Sequence, residues 1–213
     1  RPESLPGVES RCFIESSDSG MLSTLKILTI HNYYQHPGGE DGVFADEQEM
    51  LRAAGHHVVT YTRSNAELTG RSQARMALMT LWNWRTYMDV CRCIAGEGVG
   101  LVHCHNTFPL ISPAVYWAAA SCGIPVVQTV HNYRLVCAAA ILTRDGVPCE
   151  ECISSRSPMP AWRHRCYRGS LGATAVHSLM SGAHRVAGSW TQKVTRYIAL
   201  TEFMREKLIQ GGI

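Results

Sequence analysis

Three pairs of histidine and asparagine recur along the chain, each directly after a short apolar run. The pairs are His31-Asn32, His105-Asn106 and His131-Asn132. Such runs are typical of buried parallel strands, and the carboxyl ends of these strands line the ligand crevice of an open α/β sheet. A lone histidine in such a place is usually a structural hydrogen bonder, but three at equivalent places predict that at least one faces a ligand. All six residues are therefore candidates for substrate binding.

A glycine pair, Gly38-Gly39, follows the first of these runs and precedes a helical pattern. Glycine lets the backbone approach a ligand closely, and amides at a helix N-terminus attract anions such as a diphosphate. Together with Pro37 the pair also suits a simple tight turn, because the third glycine of the dinucleotide fingerprint is missing. Since Glu40 and Asp41 add negative charge nearby, a phosphate here would have to contact backbone amides.

One carboxylate falls near the apolar stripe of the helix predicted after this loop. Because each helical residue turns about 100°, Glu47 lies about 40° from Val43 and about 60° from Met50 around the helix axis. A buried charge needs a partner. Glu47 is therefore either a structural anchor paired with arginine or histidine, or a catalytic carboxylate that faces the crevice.

Four of the nine cysteines fall in one irregular stretch, at about residues 134–168. They are spaced as Cys137-x11-Cys149-x2-Cys152-x13-Cys166. This spacing suits a tetrahedral zinc site of four thiolates, which would be structural because it leaves no open position for a substrate. Reduced thiols without a metal are the alternative, and the other cysteines are expected to serve packing.

The elements that must position these residues alternate between strands and helices. Strands are predicted at residues 25–30, 57–62, 101–104, 125–130 and 197–200. Helices are predicted at 41–55, within 73–94 as one helix or two, at 113–122, within 171–194 and from Thr201-Glu202 onward. This alternation predicts an α/β fold of Rossmann-like type, a parallel sheet with helices on both faces, interrupted by the cysteine-containing insertion at about 134–168.

The composition of the chain limits which kinds of partner it can bind and in which cellular compartment it is expected. The chain of 213 residues is 46% apolar, enough for one domain, expected at residues 21–213 after a disordered leader or tag at 1–20. A net charge of +3 is too small for wholesale nucleic-acid binding. The longest apolar run, at 115–130, is too short and too interrupted to span a bilayer. Nine cysteines without an export signal indicate a reducing compartment, which predicts a cytoplasmic location.

Arginine and tryptophan side chains also suggest contact with a membrane surface. The candidates are Arg71, Arg75, Trp82, Trp84 and Arg85, with a second arginine cluster at Arg163, Arg165 and Arg168. Such residues suit peripheral binding to the anionic inner face of the plasma membrane. The alternative is tryptophans that enter the core and arginines on a solvated face.

Several ordered motifs resemble the N-terminal domain of family-4 glycosyltransferases. They are Gly38-Gly39-Glu40-Asp41, Gly55-His56-His57-Val58, His105-Asn106-Thr107-Phe108-Pro109, Ser112-Pro113, Gln128-Thr129-Val130-His131-Asn132-Tyr133-Arg134 and Tyr197-Ile198-Ala199-Leu200-Thr201-Glu202-Phe203. In the insertion, Arg144-Asp145-Gly146-x-x-Cys149-x-x-Cys152 and Arg165-Cys166-Tyr167-Arg168-Gly169-Ser170 resemble a subgroup of that family. The resemblance spans about residues 26–213.

The resemblance implies a GT-B fold, in which two Rossmann-like domains face a cleft and the first mainly holds the acceptor. It implies transfer of a sugar, with retention of anomeric configuration and without a catalytic metal, from a nucleotide-diphosphate sugar to a glycan or lipid-linked acceptor of cell-surface polysaccharide type. His131 matches the histidine that contacts the transferred sugar, and the loop of Gly38 and Gly39 would face the donor diphosphate or the acceptor. The family's donor-binding C-terminal domain has no counterpart before Ile213, so the fragment is expected to be inactive alone.

Two other classes of function stay open from the sequence. The chain could be a non-catalytic module that binds a nucleotide or a sugar phosphate. It could also be an interaction domain held together by zinc at the four cysteines of the insertion.

Overall fold

Seven strands are present in the computed structural model, which describes residues 24–36, 38–68, 70 and 72–213. They are β1 (Lys26–Tyr33), β2 (His57–Ser64), β3 (Leu101–Cys104), β4 (Val126–Val130), β5 (Thr143–Arg144), β6 (Val147–Pro148) and β7 (Arg196–Ala199). The predicted leader at 1–20, Pro37 and Arg71 lie outside the described residues. Five strands form one parallel sheet in the order β2-β1-β3-β4-β7, and β5 and β6 form a separate antiparallel hairpin.

The helices connect these strands and cover the sheet. They are α1 (Gly39–Ala53), α2 (Gln73–Leu81), α3 (Trp84–Glu97), α4 (Ala114–Ser121), α5 (Glu151–Ser154), α6 (Met159–Arg163), α7 (Leu171–Val186) and α8 (Glu202–Gln210), with a short 3₁₀ helix at Asn65–Leu68. Six consecutive residues of β1 are buried. Because neighbouring strand residues point to opposite faces, both faces of the sheet are covered. The predicted α/β fold is confirmed. None of the described helices is long and apolar enough to cross a bilayer.

The two faces of the central strands differ in chemistry. One face is apolar, and its buried side chains, such as Leu28, Val102 and Val126, belong to the main hydrophobic core. The alternating residues form the polar face, which is made of Thr29, His31, His103, His105, Thr129 and His131. Helix α1 packs on the polar face, where the Phe44 ring stacks on the His31 ring with centroids 4.7 Å apart.

Helix α1 begins two residues earlier than predicted. Gly38 is its N-cap, and its third residue, Asp41, accepts a hydrogen bond from the Gly38 N–H at 2.9 Å. The helix buries Phe44 and Gln48, whereas Met50, expected on the buried stripe, is 60% exposed. The stripe is displaced because the sheet face beneath α1 is polar: the Gln48 Oε1 accepts from the Thr60 hydroxyl at 2.9 Å.

The helical pattern at 73–94 forms two helices because Asn83 interrupts it. Its Oδ1 accepts from the N–H groups of Arg85 and Thr86, which makes Asn83 the N-cap of α3. Its own N–H donates to the Ser112 hydroxyl, and its Nδ2 donates to the Leu110 carbonyl. The buried Asn83 side chain thus ties the start of α3 to the loop after β3.

We expect Asn83→Ala to lower the free energy of unfolding by about 2–3 kcal/mol. Losing a helix N-cap costs about 1 kcal/mol, and depriving a buried carbonyl of its donor costs about 1–2 kcal/mol more. Ser72→Ala is the matched control, since Ser72 caps α2 at an exposed site by accepting from the Arg75 N–H. We expect that control to cost less than about 1 kcal/mol. Urea unfolding measures both, and equal losses would contradict this account of the helix break.

Candidate functional site

The three histidines predicted at strand ends meet at one edge of the sheet. The chain winds outward from β1 in both directions, so the switch in strand order falls between β1 and β3, where open α/β sheets bind ligands. The ring centroid of His105 lies 6.3 Å from that of His31 and 5.3 Å from that of His131. His31 and His105 are buried, whereas His131 is partly exposed.

Glu47 reaches this row of histidines from α1. Its Oε2 lies 3.1 Å from the His105 Nε2 and 3.5 Å from the His103 Nε2. The other ring nitrogen of His105, Nδ1, lies 3.1 Å from the His131 Nε2. Glu47, His105 and His131 thus form a continuous chain of contacts, named here the Glu47 relay. Glu47 contacts histidine, as the prediction of a structural anchor paired with arginine or histidine required. It also belongs to the candidate site.

His103 is a member of the site that the sequence analysis assigned only to a strand. Its Nε2 lies 2.8 Å from the Thr129 hydroxyl and within reach of Glu47. The sequence contains a signal for this: His103 stands two residues before His105, and Thr129 stands two residues before His131. Residues two apart on a strand share a face, so His103 points the same way as His105, and Thr129 the same way as His131.

Burial and proximity set the protonation states of the relay. Burial acts to raise the pKa of Glu47, but the facing His105, together with His103 and His131, outweighs burial and lowers that pKa. Burial lowers the pKa of His131 to about 4, with His105 adding to the effect and Glu47 opposing it. The pKa of His103 is likewise lowered to about 4. At neutral pH Glu47 is therefore a carboxylate, and His103 and His131 are uncharged.

These protonation states assign hydrogen positions along the relay. A carboxylate can only accept, so the 3.1 Å contact with Glu47 favours the His105 tautomer that carries its proton on Nε2. In that tautomer the His105 Nδ1 accepts from the His131 Nε2–H. The His131 Nδ1 is then left with a lone pair, which can accept a hydrogen bond from a hydroxyl group. A half-buried carboxylate thus favours one tautomer of His131.

Acidification is expected to destabilise the protein. The folded-state pKa values of His103 and His131, and of the buried His177 at about 3, lie below the value of about 6.5 for histidine in an unfolded chain. Between pH 6.5 and 4 the unfolded state binds more protons, so the free energy of unfolding falls as the pH falls. Urea midpoints at pH 7.5 and pH 5 measure the effect. An unchanged or higher midpoint at pH 5 would contradict these assignments.

His31 is held inside the protein. Its Nε2 lies 2.7 Å from the Asp41 Oδ1, and its ring contacts those of Tyr33 and Phe44. Burial lowers the pKa of His31 although Asp41 acts to raise it. This geometry favours a role for His31 in holding the start of α1 against the sheet.

Two of the three asparagines make structural hydrogen bonds. The Asn32 Nδ2 donates to the Asn65 Oδ1 at 2.9 Å, and its Oδ1 accepts from the Leu110 N–H at 3.3 Å. The Asn106 Nδ2 donates to the Asn32 carbonyl at 2.8 Å, and its Oδ1 accepts from the Phe108 N–H at 3.0 Å. Both side chains are satisfied within the protein, which favours the structural interpretation.

A cleft opens beside the relay at the ends of β3 and β4. It encloses about 620 Å³ counted to its open mouth, and its lining includes Glu40, Asn106, His131, Asn132 and Arg134. The Asn132 Nδ2 donates to the Glu40 Oε2 at 3.4 Å, and the Asn132 Oδ1 accepts from the Arg134 N–H at 3.1 Å. Asn132 therefore holds two charged residues at the cleft wall.

Glu40 and Arg134 bring unsatisfied polar atoms to this wall. The Glu40 Oε1 and the Arg134 Nε and Nη1 are buried without a hydrogen-bond partner. The Arg134 guanidinium lies over the Phe108 ring, 4.5 Å from its centroid. Burial raises the pKa of Glu40. Since buried polar atoms nearly always have partners, these atoms indicate a ligand with both donor and acceptor groups.

The two glycines at the start of α1 differ in whether their backbone N–H group is free to bind an anion. The Gly38 N–H already donates to Asp41, so that amide is not free for a diphosphate in this conformation. The Gly39 amide belongs to the first turn, where N–H groups have no partner within the helix. Neither glycine has a positive φ, and a Cβ on Gly39 would meet nothing within 4 Å. Neither backbone strain nor packing requires glycine at position 39, which leaves close approach of a ligand as a reason for it.

Two groups of residues in the described part of the chain could hold a metal. The ligand atoms of Glu47, His103 and His105 lie within 4.8 Å of one another, and the His103 Nε2 also contacts the Thr129 hydroxyl. The second group is the four cysteines predicted as zinc ligands, which line one small cavity in the insertion. Their sulfur atoms are not gathered as closely as the first group.

Comparison with protein families decides the class of the chain. Residues 38–213, which are 176 of the 213 residues, match the model of the glycosyl transferase 4-like domain. The chain belongs to the glycosyl transferase 4-like family. Within this domain lie Glu47, His103, His105, His131 and Arg134, so the whole relay is part of the matched region.

One solved structure that the chain matches is that of a candidate UDP-N-acetylglucosamine 2-epimerase from Listeria monocytogenes. The TM-score is 0.47 and the identity 9%, over 90% of this glycosyl transferase 4-like chain and 43% of the other chain. The chain thus spans less than half the length of that protein. No curated protein sequence matches the present chain significantly.

The arginine and tryptophan side chains proposed to touch a membrane are mostly at the surface. Trp84 is 62% exposed, Trp82 is 36% exposed, and Arg75 and Arg85 are exposed. The second cluster, Arg163, Arg165 and Arg168, is exposed as well. Membrane contact by this glycosyl transferase 4-like domain stays a prediction.

Proposed function

We propose that this chain is the acceptor-side half of a glycosyltransferase that takes a sugar from a nucleotide-diphosphate sugar. The observation that carries the proposal is the Glu47 relay, which ends on His131 at the wall of an open cleft. The family supplies the reaction class, sugar transfer, and the relay supplies a place where the transferred sugar can be held.

In this proposal His131 contacts the transferred sugar. Its uncharged ring offers the Nδ1 lone pair to a sugar hydroxyl, and Glu47 acts through His105 to keep that lone pair available. A histidine held in one tautomer is preorganised, so no reorganisation is needed when the sugar reaches the transition state. Glu47 is thus a positioning residue, and His131 is the group that touches substrate. No metal takes part.

Anion binding is assigned to Gly39 and Arg134. The Gly39 amide at the start of α1 faces the diphosphate of the donor, because helix N-termini favour negative charge. Arg134 offers two unpaired nitrogen donors to the same diphosphate or to a phosphate of the acceptor. The acceptor is a glycan or a lipid-linked sugar of the kind used for cell-surface polysaccharides.

The donor is delivered, in this proposal, by a second domain that closes over the cleft. The mouth of the cleft lies at the carboxyl edge of the sheet, where a facing domain would complete it. Retention of anomeric configuration also belongs to the proposal. It is supported by the resemblance of the ordered motifs, from Gly38-Gly39 to His131-Asn132, to retaining enzymes of family 4.

A cytoplasmic enzyme with a lipid-linked acceptor works at a membrane surface. The exposed side chains of Leu78, Trp84 and Arg85 lie on α2 and α3 and suit peripheral contact with the inner leaflet. Sedimentation with vesicles of anionic and of neutral lipid tests this contact. Binding that is equal for both vesicle types, or absent from both, would contradict it.

A screen of nucleotide-diphosphate sugars tests the proposed function. The full-length protein is incubated with each donor and a lipid-linked glycan extract, and release of nucleoside diphosphate is measured beside the chain of residues 1–213. We expect acceptor-dependent release from the full-length protein and negligible release from the shorter chain. Donor binding without release across the panel would instead indicate a non-catalytic binding module.

A further inference from the structure

The four cysteines of the insertion come from separate elements and meet around one cavity. Cys137 lies in the turn after β4, Cys149 directly follows β6, Cys152 is in α5, and Cys166 follows α6. All four line a single small cavity. None of them forms a disulfide. The fold therefore brings cysteines from four separate parts of the insertion to one cavity.

The lining of this cavity also carries charged side chains beside the thiols. Arg144 and Glu150 line it together with the four cysteines. Thiols lose their protons when they bind a metal ion, and a divalent ion offsets the negative charge of the resulting thiolates.

Regular structure in the insertion is scant. Its strands have two residues each, and its helices α5 and α6 have four and five. The β5-β6 hairpin turns at Asp145 and Gly146, both at positive φ, and is followed by Cys149 and then by α5, which carries Cys152. Elements this short rarely hold their positions through a hydrophobic core alone, and small irregular segments commonly depend on a bound metal.

We propose that Cys137, Cys149, Cys152 and Cys166 bind one zinc ion that holds the insertion in place. Thiolate sulfur is a preferred zinc ligand, and four of them close a tetrahedral site without an open position. The side chains have to turn inward to reach the ion, since the four sulfur atoms are not among the ligand atoms that lie within 4.8 Å of one another. Arg144 offsets part of the double negative charge of a tetrathiolate zinc site. The site is structural and separate from the Glu47 relay.

Metal content of the purified full-length protein tests the site. The protein is produced without added zinc and purified without chelator, and the amount of each metal per chain is then measured by mass spectrometry. We expect one zinc per chain for the wild type and loss of that zinc in Cys152→Ser. Cys122→Ser, which alters an exposed cysteine outside the cluster, is expected to retain the metal. Glu47→Gln is expected to retain it as well, which separates this site from the group at Glu47.

A second measurement does not depend on whether a variant folds. Cobalt is exchanged for zinc in the wild-type protein, and the absorption spectrum is recorded. Tetrahedral thiolate ligation predicts a sulfur-to-metal charge-transfer band together with intense visible bands. Wild-type protein without zinc and with all four thiols titratable would overturn the proposal, as would disulfides among them or loss of zinc in Glu47→Gln but not in Cys152→Ser. None of these readouts depends on sugar transfer, so the zinc site and the proposed function can fail separately.

Discussion

Replacing Glu47 with glutamine is expected to reduce kcat of sugar transfer by the full-length protein by roughly 10²- to 10³-fold, the usual effect of losing one preorganised group. Glutamine keeps the shape of the side chain, but it removes the charge, and its amide can donate to the His105 Nε2. His105 would then change tautomer, and the His131 Nδ1 would lose its fixed role as an acceptor. KM for the donor should change much less than kcat, because the anion contacts of the cleft remain.

Glu49→Gln on the same helix is the matched control, since Glu49 is exposed and should tolerate the change. A double-mutant cycle with His131→Ala separates a relay from a general loss of packing. If Glu47 acts through His131, the double variant should be no slower than His131→Ala alone. Losses that multiply would show that the two side chains act independently, and the relay would be wrong.

Replacing Arg134 with methionine is expected to raise KM for the phosphate-bearing substrate by roughly 10- to 100-fold. A charge-assisted hydrogen bond contributes about 1.5–3 kcal/mol, which corresponds to that range. The free energy of unfolding should stay the same or rise, because the variant no longer buries the unpaired Nε and Nη1 of Arg134. Methionine retains an apolar contact with Phe108.

Opposite effects on binding and on stability distinguish a ligand-binding arginine from a structural one. Arg165→Met, at an exposed position of the insertion, is the control and should change neither quantity by a measurable amount. Isothermal denaturation and initial-rate kinetics are measured on the same preparations. Loss of stability in Arg134→Met with an unchanged KM would assign Arg134 to the fold.

Much of the fold could be predicted because its strands are short apolar runs bounded by polar and glycine residues. The bounds of β3 were predicted at residues 101–104 and match Leu101–Cys104. Helix bounds were harder, because they depend on hydrogen bonds that no periodicity shows. Asn83 ends one helical pattern and starts the next through contacts with the loop residues Leu110 and Ser112. Those partners are distant in sequence.

The candidate site was predictable in part. Placing His105 and His131 at strand ends required only the apolar runs, and helical phase alone brought Glu47 toward the sheet. Pairing Glu47 with His105 required the position of α1 over the polar face, which is a tertiary property. The buried, unpaired nitrogen atoms of Arg134 and the occupied amide of Gly38 likewise depend on neighbours that the sequence does not reveal.

The anomeric configuration of the product made by the full-length protein tests the central claim most directly. The protein is supplied with its nucleotide-diphosphate sugar and acceptor, and the product is followed by NMR for the wild type and for His131→Ala. We expect transfer with retained configuration and a loss of at least about 10²-fold in His131→Ala, with donor binding preserved. Inverted product, or transfer that His131→Ala leaves unchanged, would contradict it.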